Sequence, residues 1–393
     1  MDTWQGFKVW HKGVDKMIIA VGIDVHKDKC AACARFAGKG EPKPKHEEFL
    51  KNFNEEFRRF DSDYRGMTAF ADALRDHEVH VLIENSTKSH DVYWMLRNLG
   101  IDVIVAHASD LKRITESQTK NDDNDAFELA GYMRRRLWGE IEFAESHIPE
   151  PETLLRREVC RFDLNLRTEL SALKRQIRSH MLIRGWKLTR DYKDIVCASA
   201  LRELKYSGID IFLYDVAKAE YLKKLIFETE RNIRFRMEGD PLFDGVWSIP
   251  GFGVLSAAYF SCMIDDISRF PDGKSFSAHL GLTPKLDESA DKGKNCGMSR
   301  RGDPNMRRLI AQATFVHIFH TESFISRKYQ RLRSRGKKHS EALVACANSM
   351  AKLVFAILRD GSKYVADPEV LARTRALADS DEVEDEMEAV GSR

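Results

Sequence analysis

Four acidic residues in the first third of the chain have the types and positions that metal-dependent phosphodiester chemistry requires. Asp24 closes the apolar run IIAVGI, and Glu84 closes VLI in a later run of the same kind. Asp122 and Asp125, within TKNDDNDAFELA, open a helical stretch at a spacing of three, so both can project from one helix face. Asp123 lies between them and replaces Asp122 as a ligand if the helix begins one residue later. Four converging carboxylates repel one another unless cations sit among them. Hard oxygen donors at that density suit Mg²⁺, with Mn²⁺ the alternative ion, and two such ions about 4 Å apart can clamp the attacking and leaving oxygens of a phosphodiester. Each acid also has a plain structural use, Asp122 as a helix cap and Asp24 as a turn residue before His26. The joint pattern is what points to chemistry.

A hydroxyl is the second candidate. Ser289 stands in a long polar loop between GLTP and a helix that begins near Pro304, flanked by Lys285, Lys292, Lys294, Arg300 and Arg301. Loops of that length inside a compact domain are commonly functional or disordered. A serine attacks a phosphodiester only when its proton is removed and the phosphate charge is neutralised. Upstream, VWSIPGFGVLSAAYF (246–260) reads as helix, tight hairpin, helix. Gly251 and Gly253 there either let backbone amides approach a phosphate or simply close a helix connection.

These groups need a scaffold. Residues 17–37 read as a buried strand, a tight turn and a paired strand; 78–86 and 101–107 are further strands, separated by a helix over 88–100 and followed by helical sequence to about Leu137. Alternation of this kind predicts an α/β domain over 17–140 with a largely parallel sheet, whose carboxyl end collects ligands. The segment 138–152 reads as an acidic, proline-bearing linker. Beyond it Val159, Phe162, Leu166, Leu170, Leu173 and Ile177 recur at steps of four and three, the seam of a long coiled-coil helix, with a second helix over about 210–238. The expected divisions are therefore an extension (1–16), the α/β domain (17–140), linker and coiled-coil helices (141–238), a mostly helical domain (239–366) and an acidic tail (367–393).

Charge narrows the function classes. The chain carries 63 Lys+Arg against 61 Asp+Glu, but residues 379–393 hold seven acids and one Arg, leaving 62 basic against 54 acidic residues, or +8, elsewhere. Positive charge concentrates in 153–190, which includes Arg156, Arg157, Arg167, Lys174, Arg175 and Arg178, and in 327–339, which includes Arg331, Arg333, Lys337 and Lys338. Such clusters are the electrostatic footprint of a phosphate-backbone binder or else a solvated helix face. Trp186 and Tyr329 in them either stack on unpaired bases or pack into the helices. No stretch has the roughly 20 apolar residues of a membrane span, and no secretory signal is visible, so a cytoplasmic location and no membrane partner are expected. Seven scattered cysteines argue for reduced thiols, and the Cys30/Cys33 pair reads as strand packing rather than zinc binding.

GIDVHK around Asp24, IENS around Glu84, the K-x-D-x-x-D-A pattern of Lys120, Asp122, Asp125 and Ala126, then IPGFG, GLTP, RRGDPNMRR and AKLVFAILRDG occur in this order over about residues 17–365. Together they resemble the insertion-sequence transposases with a RuvC-like DEDD domain and a C-terminal serine-bearing transposase domain, related to the pilin-gene invertases and known as bridge-RNA-guided recombinases. The resemblance implies an α/β RNase H-like (RuvC-like) N-terminal domain, a helical coiled-coil middle and a mostly α C-terminal transposase domain. It implies that Asp24, Glu84, Asp122 and Asp125 bind metal and that Ser289 forms a covalent link to DNA. It also implies donor and target double-stranded DNA, a structured guide (bridge) RNA, and a tetramer built as a dimer of dimers, in the cytoplasm of a prokaryote and associated with its nucleoid. Two positions depart from the family: Ala290 follows the serine where Gly is usual, and Asn121 stands where Thr is commoner. Ser299 therefore remains the alternative nucleophile. Two other readings stay open, a RuvC-like metal-dependent nuclease of the junction-resolving kind in which the serine is incidental, and a non-catalytic nucleic-acid scaffold.

Overall fold

The run Ile18–Val25 (β1) turns back through 26–28, where the His26 amide donates to the Lys29 carbonyl at 3.1 Å, into Lys29–Phe36 (β2). A turn that short permits only antiparallel pairing. These and the following elements belong to a computed structural model that describes residues 16–107, 111, 122–282 and 302–365, without the side chains of 122–124. It divides into two units, residues 1–148 and 149–393.

In the first unit β2 also pairs antiparallel with the short Phe60–Asp61 (β3), while Glu78–Glu84 (β4) and Asp102–Ala106 (β5) join β1 in parallel, giving the order β3-β2-β1-β4-β5. The sheet is thus mixed, not largely parallel as the strand–helix alternation suggested. Strands β3, β4 and β5 are each reached through a helix, and the hairpin alone gives β2 the opposite sense. Helices Pro44–Glu56 (α1) and Tyr64–Ala73 (α2), unassigned from sequence, and Ser89–Asn98 (α3) cover one sheet face. Phe53, Phe57, Met67, Phe70, Val92 and Leu96 pack there against Ile19, Val21, Ile23, Val81 and Ile83. Helix Asp122–Leu137 (α4) covers the other face, with Leu129, Tyr132 and Met133 on Ala20, Leu82 and Ala106. Burial on both sides is why β1 and β4 read as continuous apolar runs.

The expected linker is shorter and better anchored than its composition suggested. The Ser146 amide donates to the Val105 carbonyl at 2.7 Å, and Glu145 bridges to Ala106, so this segment extends the β5 edge. The next helix, Pro151–Ile183 (α5), starts at a proline whose missing N–H is no loss at a first helical position.

In the second unit α5 runs antiparallel to Asp210–Arg236 (α7), with Ala198–Lys205 (α6) between them in sequence. Leu166, Leu173 and Ile177 are buried as the seam predicted, but Phe162 is 51% exposed and Cys160 and Leu164 are buried instead. Two cores share this pair. Leu166, Leu173, Ile177, Leu204, Phe212 and Val216 form one; Cys160, Leu164, Ile233 and Met237 join the other, built on the later helices. Those are Pro241–Trp247 (α8), Val254–Ile264 (α9), Gly273–His279 (α10), Pro304–His320 (α11), Phe324–Ser334 (α12) and His339–Asp360 (α13). Helix α13 is long and apolar enough to cross a membrane, yet Cys346, Ala347, Met350, Ala351 and Val354 are among the most buried residues of this core.

Candidate active site

The β1–β4 ladder ends at Ile23 opposite Ile83, so Asp24 and Glu84 are the next residues of two neighbouring parallel strands, which lie about 4.8 Å apart. Ile23 and Ile83 point into the α1–α3 face; by strand alternation Asp24 and Glu84 point to the α4 face. Gly22 shows how close α4 comes. A Cβ at Gly22 would meet the Ala126 carbonyl oxygen at 2.2 Å and the Ala130 nitrogen at 2.3 Å, so the helix backbone rests directly on the strand. At the other end, the Trp138 indole donates to the Ala37 carbonyl at 2.9 Å, and the Ala37 amide donates to Ile18 at 2.9 Å. Helix α4 therefore runs against β1, and its first turn, carrying Asp122 and Asp125, begins at the strand's carboxyl end, where Asp24 and Glu84 stand.

Asp24 is partly buried and pairs with His26 (Nε2 to Oδ2, 3.0 Å), a neighbour that sequence reading treated only as turn context. The turn itself is pinned from outside. The Lys88 ammonium donates to the Lys27 carbonyl (2.9 Å) and to Ser62 Oγ (2.8 Å), and Ser62 Oγ donates to the same carbonyl (3.0 Å). After Glu84, the Asn85 amide donates to Ala106 and the Ser89 hydroxyl bonds Ser86, fixing the chain where it leaves β4. Among the described residues no three Asp, Glu, His or Cys side chains already meet at one ligating point. The Asp122 and Asp123 side chains lie outside that description. In donor type and level on the sheet, the carboxylates fit a hard divalent cation. Cys30 and Cys33 do not form a metal pair: three residues apart on β2 they face opposite sides, and burial pushes the Cys30 thiol up to about 12.

Ser289, Ser299, Arg300 and Arg301 lie outside the described residues. Several basic side chains expected to meet nucleic acid are engaged internally. Arg156 pairs with Asp240 (3.1 Å), Arg157 donates to the Cys262 carbonyl (2.8 Å), Arg167 pairs with Asp163 and Glu230 (2.5 and 2.6 Å), and Lys174 pairs with Asp194 (3.0 Å). Arg175 and Arg178 are exposed on α5; Arg331, Arg333, Lys337 and Lys338 are exposed on α12 and the turn after it. Trp186 packs on Phe212 and Tyr329 bonds His339, so both serve the helices. Gly251 has φ +109°, and a Cβ there would meet the Ala313 carbonyl at 2.3 Å; the hairpin is shaped by its seat on α11. The Gly253 amide donates to Ser256 Oγ at 2.9 Å, as the cap of α9.

Residues 21–183 match a transposase family model of the DEDD, IS110 type, and residues 245–347 match the model described as Transposase IS116/IS110/IS902 family. The chain thus carries both domains of the IS110/IS116/IS902 transposase family. It is 27% identical over 146 residues to the transposase for insertion sequence element IS1328 of Yersinia enterocolitica, covering 37% of this chain and 44% of the relative. It is 30% identical over 135 residues to the insertion element IS110 uncharacterized 43.6 kDa protein of Streptomyces coelicolor, covering 34% of this chain and 33% of the relative. These alignments span less than half the length of both relatives. A longer alignment, 21% identical over 314 residues, covers 77% of this chain and 86% of the transposase for insertion sequence element IS1533 of Leptospira borgpetersenii.

Proposed function

We propose that this chain is the transposase of an insertion sequence, an enzyme that cleaves DNA strands and transfers them to new partners. One observation carries the reading: two carboxylates at the same level of adjacent parallel strands, with the start of an acid-bearing helix brought to that end of the sheet, in a chain that also bears the second transposase domain. The strand order β3-β2-β1-β4-β5 with an antiparallel first hairpin supports an RNase H-like, RuvC-type fold for the first unit.

In this reading Asp24, Glu84, Asp122 and Asp125 hold two Mg²⁺ ions, or Mn²⁺ in their place, with Asp123 the alternative to Asp122. When bound, the metal polarises the scissile phosphate and offsets charge building on it. The chain's own residues do the positioning. Gly22 lets α4 close on β1 so that helix and strand acids share one end of the sheet. His26 orients the Asp24 carboxylate, and Lys88 with Ser62 holds the turn that carries His26. Ser289, or Ser299, supplies the nucleophile of the second domain: its Oγ–P bond forms as one strand's P–O bond breaks, leaving a hydroxyl for the later exchange. A structured guide RNA selects donor and target DNA, the assembly is a dimer of dimers, and the enzyme works in the cytoplasm at the nucleoid. Arg175, Arg178, Arg331, Arg333, Lys337 and Lys338 hold nucleic-acid backbone.

The test combines adduct trapping with sequencing of copurified nucleic acid. The full chain should form a denaturant-stable DNA adduct that Ser289→Ala abolishes, and should carry one RNA mapping beside its gene. A Ser289→Ala/Ser299→Ala double variant that cuts DNA at the unaltered rate would establish a plain metal-dependent nuclease. Asp24→Asn leaving every activity intact would leave a binding scaffold.

A further inference from the structure

Arginines gather on the α4-covered face of the first unit, at the end of that helix remote from its acids. Arg35 stands on β2 opposite Ala20, and Arg134, Arg135 and Arg136 fill the last turn of α4. Arg136 pairs with Glu145, but among the described residues no carboxylate lies within ion-pair distance of Arg35, Arg134 or Arg135. Burial, and after it the nearby Arg134, disfavours the charge on Arg35, with Glu128 a weaker counterweight. Cations in a last helical turn offset the helix dipole. That does not account for Arg35, which is on a strand and repelled by its neighbours.

The guanidinium groups are set on aromatic rings: Arg35 over Phe127 (4.4 Å to the centroid), Arg134 over Trp138 (4.7 Å) and Arg135 over Tyr132 (4.9 Å). Stacking occupies the flat faces and leaves the in-plane N–H donors for another partner. Like charges held side by side, stiffened from below and short of acceptors, match the oxygens of successive phosphates.

We propose that Arg35, Arg134 and Arg135 form a phosphate-backbone site for the DNA strand that enters the carboxylate site, an inference that rests on the nucleic-acid reading above. Asp125 and Arg135 are ten residues apart on α4, roughly 15 Å at 1.5 Å per residue and less than a quarter turn apart around the helix. That span corresponds to about four nucleotides at the ~3.4 Å rise of one strand. The arginines thus grip the strand a few nucleotides from the bond to be cut, on the same sheet face.

The test is fluorescence anisotropy of the full chain with a DNA duplex and with an RNA duplex of equal length, across a salt series. Each lost phosphate contact should flatten the slope of log K against log salt by about 0.9 on DNA. Arg134→Gln/Arg135→Gln should therefore lose about 1.8 and Arg35→Gln about 0.9. The control pair Lys39→Gln/Lys51→Gln, exposed residues that carry the same charge, should leave the slope unchanged. Arg35→Gln leaves the helix sequence intact and serves if the double variant melts early. An unaltered slope in a folded variant, or a loss confined to RNA, overturns the proposal while leaving the transposase reading standing. A wild-type chain that binds neither duplex overturns both.

Discussion

Replacing Gly22 tests how the two halves of the acid site are brought together. In Gly22→Ala the new Cβ would sit 2.2 Å from the Ala126 oxygen, 2.3 Å from the Ala130 nitrogen and 2.6 Å from Leu129 Cβ, whereas ordinary contact begins at 3.4 Å. The first two are backbone atoms of a continuous helix, so no side chain can swing aside. Helix α4 must retreat from β1 by roughly 1.2 Å, the difference between 3.4 and 2.2 Å. Overpacking of this kind costs about 1–3 kcal/mol. The functional penalty should be larger than the stability loss alone suggests, because a displacement of about 1 Å in a reacting constellation costs on the order of a hundredfold in rate. Thermal melting followed by circular dichroism, and Mg²⁺-dependent strand cleavage normalised to folded protein, measure the two effects separately. Gly131→Ala is the control for melting alone on the same helix: its Cβ meets only the movable tip of Arg35 at 2.9 Å, and exchanging Gly for Ala inside a helix gains up to about 1 kcal/mol. If Gly22→Ala melts and cuts like the unaltered chain, α4 is not what carries Asp122 and Asp125 to the strand acids.

Arg167→Ala would leave the Asp163 carboxylate, 0% exposed, with the Thr229 hydroxyl but no cation. Denaturant unfolding of the α5–α7 pair should show a loss of about 3–5 kcal/mol; a loss under 1 kcal/mol would mean water replaces the guanidinium. Gly251→Ala combines φ +109° with a 2.3 Å approach to the Ala313 carbonyl. It should lower the melting temperature of the second unit while leaving the first unit's sheet intact by hydrogen exchange. On β4 and β5, bonding to Asp102 raises the His80 pKa above its ordinary 6.5, and bonding to His80 lowers the Asp102 pKa below 3.8. The stabilisation from that pair is full below pH 6.5, fades as pH rises through the raised His80 value, and fades again in acid as Asp102 protonates. The melting-temperature gap between wild type and His80→Asn should follow that profile; a gap unchanged between pH 6 and 9 would contradict it.

Local pattern made much of the fold legible. The hairpin at 26–28, β4, α3 and β5 announce themselves by apolar runs and a closing glycine, and the helix–hairpin–helix read over 246–260 by its Pro-Gly turn. The mixed sheet was misjudged because strand–helix alternation describes β4 and β5 but not the hairpin strand. Helices α1 and α2 were passed over because they lie in the polar, charged stretch 38–77. The positions of Asp24 and Glu84 were legible since each ends an apolar run, and the ladder register puts the two at one level. Composition counts charges but cannot tell that Arg156 faces Asp240 or that Arg167 is held by Asp163 and Glu230 across an antiparallel pair. Gly22 did carry a signal, a glycine inside an apolar strand, which marks close backbone approach.

The most direct measurement is single-turnover cleavage of donor DNA, as a function of Mg²⁺, by the full chain and by Asp24→Asn. A carboxylate site that holds the catalytic ions predicts cutting that rises with Mg²⁺ and falls by about a thousandfold in the folded variant at every concentration, the rate equivalent of several kcal/mol of metal assistance. Equal rates for the two proteins, or cutting that persists in chelator, would contradict it.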